Sequence, residues 1–128
     1  VNDLKWEIML EELVLKDEVL LPYYDHIKSF TDDKYRAIIE WYLCMKEGLK
    51  AKEKYIADVL IVKYEDLVSD PEQILNKILK HCRLNNDPVM FTYALEVLKP
   101  APNKPKFELP EFIQEPVTQL CKQLGYNY

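Results

Sequence analysis

The sequence predicts an α/β fold, mostly helical with one strand near Val59–Lys63, and three observations predict it. Apolar residues recur at helical spacing over most of the chain. One short run, Val59, Leu60, Ile61 and Val62, is instead continuous and rich in β-branched residues, the mark of a buried strand of the parallel type. Directly behind it, Asp70-Pro71 and Asp87-Pro88 carry the N-cap and first-turn proline of two further helices. The 128 residues, 48% of them hydrophobic and 30% charged, suffice for a core and are too apolar for disorder, so residues 1–128 read as a single domain segment.

Taken in order, Leu4, Ile8, Leu10, Leu13, Val14 and Leu15 fit a helix capped by Asp3 that runs to Leu21, where Pro22 ends or kinks it. Thr31 caps a second, long helix from about Asp32 to about Tyr55, with Tyr35, Ile38, Ile39, Tyr42, Leu43 and Leu49 on one face and Gly48 as a weak point. After the expected strand, Asp70 caps a helix whose inner face is Ile74, Leu75, Ile78, Leu79 and Cys82. Asp87 caps another, through Tyr93, Leu95 and Val97 to Lys99, stopped by Pro100. Four prolines and three lysines between Lys99 and Pro110 make a stiff surface loop. The chain ends in a helix carrying Val117, Leu120, Cys121 and Leu124 inward, with Pro116 in its first turn and Gly125 as the left-handed residue that closes it. A lone central strand leaves its backbone groups unpaired, so its neighbours are expected from sequence upstream, an expectation that the non-Met start at Val1 also raises.

Composition excludes several functions. A formal charge of −5 leaves no basic field for a nucleic acid. The two glycines, Gly48 and Gly125, are too far apart for a GxxxxGK cradle or a GxGxxG turn. Lys5, Glu7, Glu11, Glu12 and Lys16 break the opening stretch, which is neither signal peptide nor membrane span. Cys44, Cys82 and Cys121 form no CxxC, and His26 and His81 stand alone, so no metal site is expected; the thiols are partly buried or two of them pair.

The run Val62, Lys63, Tyr64, Glu65, Asp66, Leu67, followed by Asp70-Pro71 and then Leu75, Ile78, Leu79 and Leu84, resembles the sulfotransferase pattern of a strand, a YEDL turn, a DP helix start and an amphipathic helix. The closing Cys121 to Tyr126, CKQLGY, is similar to the last helix of the Golgi carbohydrate sulfotransferases. Lys63 departs from the pattern where the family usually has Arg, as do His81, Cys82 and Arg83 where it often has Phe, Leu and Gly. The resemblance implies that the chain is the C-terminal, mostly helical part of a P-loop-like sulfotransferase domain. It also implies transfer of a sulfuryl group from phosphoadenosine phosphosulfate (PAPS) to a hydroxyl-bearing acceptor such as a carbohydrate, in the Golgi lumen or else the cytoplasm. The family's loop for the 5′-phosphosulfate and its Arg and Ser for the 3′-phosphate precede the YEDL region, so the resemblance makes the missing N-terminal half of the domain a partner and leaves this segment alone inactive.

Site candidates follow from that placement. Tyr64 and Glu65 sit where a strand meets the crevice in which an open α/β sheet binds ligand, and are candidates for the acceptor; the bland role for Glu65 and Asp66 is to accept backbone N–H bonds in the turn. Lys104 and Lys106, with Lys99 beside them, lie on the proline-stiffened loop, where the family closes a basic segment over the nucleotide; Lys104 and Lys106 are the cofactor candidates. Tyr23, Tyr24, Tyr35, Trp41 and Tyr42 offer either a sugar-stacking wall or, at helical spacing, core. His26 beside Asp25 has no nucleophile partner and takes no catalytic role. The competing class is a non-catalytic helical interaction module, in which Asp58–Lys63 is absorbed into a helix or lies at an edge.

Overall fold

A computed structural model describes residues 2–100 and 108–126. Its elements are α1 (Asp3–Glu12), α2 (Tyr24–Lys28), α3 (Asp33–Lys54), α4 (Tyr64–Ser69), α5 (Pro71–Cys82), α6 (Pro88–Val97) and α7 (Glu111–Gln123), with two single 3₁₀ turns at Val14–Lys16 and Leu21–Tyr23. Among the described residues there is no strand and every element is helical, which overturns the expected α/β fold. Val59–Lys63 takes part in no strand ladder and lies between a turn at residues 55–58 and α4. The physical reason is that β-branched residues favour extended backbone, whereas a strand exists only through its ladder. Here the Val59 carbonyl accepts from Lys52 Nζ at 2.6 Å instead, and Ile61 is exposed rather than enclosed between layers. Nor is the segment absorbed into a helix, one of the two placements expected of an interaction module.

The chain divides into two compact units, Val1–Lys50 with Phe107–Tyr128, and Ala51–Lys106. In the first, Asn2 rather than Asp3 caps α1, its side chain accepting from the Lys5 N–H at 2.8 Å, and Trp6, Met9 and Leu10 turn inward at the i, i+3, i+4 spacing of one helix face. The helix stops at Glu12 rather than running to Leu21. Leu13 leaves helical backbone at φ −120°, and after the 3₁₀ turn Asp17 Oδ1 accepts from the Val19 and Leu20 N–H groups at 2.9 and 3.0 Å, offering the backbone there a partner other than the helix ladder. Asp32, not Thr31, opens α3, accepting from the Lys34 N–H at 2.8 Å. From α3 come Ile39, Tyr42 and Leu43; from α7, Ile113, Val117, Leu120 and Cys121; with Val14, Leu20, Ile27 and Phe30 they close the core.

Helix α7 begins at Glu111, so Pro116 stands at its sixth position rather than in its first turn, and its missing N–H leaves the Phe112 carbonyl without a ladder bond. Gly125 closes the chain as expected, at φ 79°, with the Tyr126 N–H reaching back to the Cys121 carbonyl at 2.8 Å. All three cysteines are free; Cys44 and Cys82 are exposed and Cys121 is buried.

The second unit is built differently. Asp70 caps α5 by accepting from the Gln73 N–H at 3.1 Å, an interaction worth about 1 kcal/mol, and Asp87 caps α6 through the Val89 N–H at 2.9 Å. Its buried side chains among the described residues are Leu79 and Ala94, while Ile56, Leu84, Val89 and Tyr93 are exposed. Helix α5 ends in a left-handed residue with the Leu84 N–H bonded to the Leu79 carbonyl at 2.9 Å, and that residue is Arg83, φ 57°. A Cβ in the left-handed region costs about 1 kcal/mol, which glycine avoids. Arg83→Gly is therefore expected to raise stability by about 0.5 to 1 kcal/mol, read as a higher urea midpoint at unchanged slope.

Candidate functional site

The residues singled out for the acceptor stand together at the start of α4. Lys63, extended at φ −83° and ψ 137°, is followed by Tyr64, Glu65 and Asp66 in the first helical turn, and all three of these are exposed. Acidic residues there complement the positive end of the helix. The turn is held from behind: the Asp70 N–H donates to the Asp66 carbonyl at 2.9 Å and Ser69 Oγ donates to the same carbonyl at 3.1 Å. Thus the KYEDL segment presents a phenol and two carboxyl groups on a surface turn whose backbone is tied down. At 52% exposed, Tyr64 packs little. Tyr64→Phe is expected to change stability by less than about 0.5 kcal/mol in denaturant unfolding, so an effect of that substitution on ligand binding reports the hydroxyl itself.

The other candidates disperse. Lys99 Nζ donates to the Leu95 carbonyl at 3.2 Å, closing the end of α6. Lys104 and Lys106 lie outside the described residues. Of the aromatic side chains, Tyr42 is buried and Tyr24, Tyr35 and Trp41 pack half-buried against the core, which makes them structural; Tyr23 is exposed and stacks on Phe112 with ring centroids 4.6 Å apart. His26 sets its edge against Phe30 and Phe112, at 5.1 and 5.6 Å, an aromatic packing role. Among the described residues no three His, Cys, Asp or Glu side chains gather as around a metal ion, and no helix is long and apolar enough to cross a membrane.

One polar cluster escaped the sequence reading. A cleft of about 290 Å³ in the first unit is lined by Val19, Tyr42, Lys46, Glu115, Gln119 and Gln123, among others. At its wall Lys46 Nζ donates to the buried Asp17 Oδ2 at 2.6 Å and lies 5.6 Å from the Tyr42 ring centroid. Burial works to lower the Lys46 pKa, but the hydrogen bond to Asp17 and the neighbouring Tyr42 outweigh it, and the net movement is upward from the usual lysine value. Burial also lifts the Tyr42 phenol, against the pull of Lys46. At neutral pH the cleft therefore holds a neutral phenol and an ammonium already matched by a carboxylate, with Glu115 and Gln119 bonded to each other at 3.0 Å. An anion finds no uncompensated cation in it. The signal was present in the sequence as an acid, Asp17, inside an apolar run, and a lysine one turn beyond Tyr42 on the inward face of α3.

Among other cations, Lys50 is paired with Glu47 and Arg36 with Asp3, while Lys52 donates to the Ile56 and Val59 carbonyls. Lys46, Lys50 and Arg36, each already matched by a carboxylate, do not fit the grip on a phosphosulfate and a 3′-phosphate that PAPS demands.

Compared with known proteins, the chain is 37% identical over 78 residues to sulfotransferase 1 family member D1 of Mus musculus, a match covering 59% of this chain and 24% of the relative. The chain spans about a quarter of the length of that curated relative. The likeness is to a sulfotransferase, and it lends no support to the Golgi carbohydrate type. No family model matches the chain, and no solved structure matches it.

Proposed function

We propose that this chain is the C-terminal segment of a sulfotransferase that moves a sulfuryl group from PAPS to a hydroxyl-bearing acceptor, a carbohydrate being one such acceptor. The observation that carries the reading is the partial identity to a sulfotransferase, together with a KYEDL-DP segment folded into a fixed surface turn. In this reading Tyr64 and Glu65 meet the acceptor. Lys104 and Lys106 meet the donor as point charges, and the remaining donor contacts belong to an N-terminal half of the domain.

Calorimetry with adenosine 3′,5′-bisphosphate, the desulfated product nucleotide, tests it. A longer protein carrying this chain is expected to bind the nucleotide and to transfer sulfate from PAPS, and residues 1–128 alone to do neither. Lys104→Ala and Lys106→Ala in that protein each weaken binding by about tenfold and change stability by less than about 0.5 kcal/mol. Tight binding by residues 1–128, or unaltered affinity in both lysine variants, overturns the donor assignment. A second reading, a non-catalytic helical interaction module, draws on the apolar side chains exposed in the second unit. Transfer activity in the longer protein rules that reading out.

A further inference from the structure

The turn that bears Tyr64 and Glu65 hangs on a closed circuit of hydrogen bonds within the second unit. Lys52, in the last turn of α3, extends its Nζ past the helix end and donates to two carbonyls, Ile56 O at 2.8 Å and Val59 O at 2.6 Å. One ammonium so fixes both the turn that ends α3 and the residue where the extended run begins. From the other side, His81 on α5 brings Nε2 to 3.2 Å from the Asp58 carbonyl, 23 residues earlier in the chain. A carbonyl accepts only, so that ring nitrogen carries the proton and donates. Helix α4 joins α5 through Asp70, whose backbone N–H is bonded into α4 and whose carboxylate caps α5. The chain from Asp58 through Tyr64 and Glu65 to His81 is thereby a loop pinned at its base by Lys52 and His81.

These bonds are not needed to satisfy a buried core, since Ile56 and Asp58 are exposed. Both donors spend their polar groups on backbone carbonyls at an exposed turn, which sets geometry more than it adds burial. We infer that Lys52 and His81 are positioning residues that hold the Tyr64–Glu65 turn for its ligand, an inference that rests on the acceptor role proposed for that turn. It also accounts for how a segment without a sheet is anchored: its start at Asp58 and Val59 is fixed by side chains rather than by a ladder.

Hydrogen exchange of residues 1–128 tests the clamp without any activity. Lys52→Met keeps the stem and removes the donor, and is expected to speed exchange of the Tyr64–Ser69 amides by about tenfold while α1 and α7 exchange as before. Lys52→Arg, which can still donate to two carbonyls, returns those rates to within about twofold. His81→Leu acts in the same direction as Lys52→Met, and His81→Gln restores a donor. Unchanged exchange over Tyr64–Ser69, or equal acceleration in α1 and α7, overturns the inference. In an active longer enzyme, Lys52→Met raises KM for phenol, used as a hydroxyl probe, by several-fold and leaves KM for PAPS unchanged, and Lys52→Arg recovers it; equal loss for both substrates also overturns it. If the unsubstituted longer protein transfers no sulfate, the functional reading fails and the exchange rates alone decide the clamp.

Discussion

Ile113→Ala lowers the stability of the first unit by about 4 kcal/mol. Ile113 has no exposed surface and sits on α7 with Val117, Leu120 and Cys121 at one-turn spacing, facing a core that also includes Val14, Leu20, Ile27 and Ile39, each fully buried. Removing three carbons there forfeits their transfer free energy and leaves a cavity whose walls, drawn from α1, α3 and α7, have little room to collapse. The measurement has a convenient reporter. Both tryptophans of the chain, Trp6 and Trp41, belong to this unit, so their fluorescence follows its unfolding while the far-ultraviolet signal follows all helices. Lys122→Ala, an exposed change on the same helix, is the control and is expected to cost less than about 0.5 kcal/mol. A loss below about 1 kcal/mol for Ile113→Ala shows that α7 is not part of the core.

The contrast with the second unit explains which elements the residues announced. Helix starts were legible wherever one side chain makes the decision locally: Asp70 and Asp87 do what an Asp before Pro predicts, and Gly125 takes the positive φ its type favours. The strand was misread because β-branched character is a property of four residues, whereas pairing is a property of neighbours, and the acceptor at Val59 is claimed by a lysine seven residues earlier. The early end of α1 was misread for a related reason: Asp17 lies within an apolar run, and only its hydrogen bonds to Val19 and Leu20 show that the backbone there is held outside a helix. At Arg83 the likeness to a pattern with Gly marked the position, and the left-handed backbone gives the reason for it. Tyr64 and Glu65 were visible as a motif. Lys52 and His81 were not, since a bond between residues 23 positions apart leaves no periodicity in the sequence.

Lys46→Met is expected to cost about 3 kcal/mol at neutral pH, because it strands the Asp17 carboxylate, whose side chain is only 6% exposed, without its counter-charge. The estimate lies at the low end for a broken buried pair, since Lys46 keeps 29% of its side chain exposed and Asp17 retains the two backbone N–H donors on its other oxygen. Asp17→Asn separates charge from capping: the amide oxygen still accepts from Val19 and Leu20, the charge is gone, and the loss is expected to be smaller than in Lys46→Met. The same cluster fixes the sign of the alkaline response. The Lys46 and Tyr42 pKa values are both raised in the folded chain, from ordinary values of 10.5 and 10.0, so the folded state holds protons that the unfolded state has released. Their contribution is complete below about pH 10 and is lost as pH climbs through the raised folded values. Buried Cys121, raised from 9.0 by burial alone, adds a loss of the same sign that begins lower. Unfolding free energy read by tryptophan fluorescence should therefore be level through neutral pH and fall above about pH 9 to 10, and the fall should be shallower in Tyr42→Phe and in Lys46→Met. An alkaline slope identical in all three proteins, or a neutral-pH loss under about 1 kcal/mol for Lys46→Met, means that the ammonium and the carboxylate do not form a buried pair at the wall of the cleft.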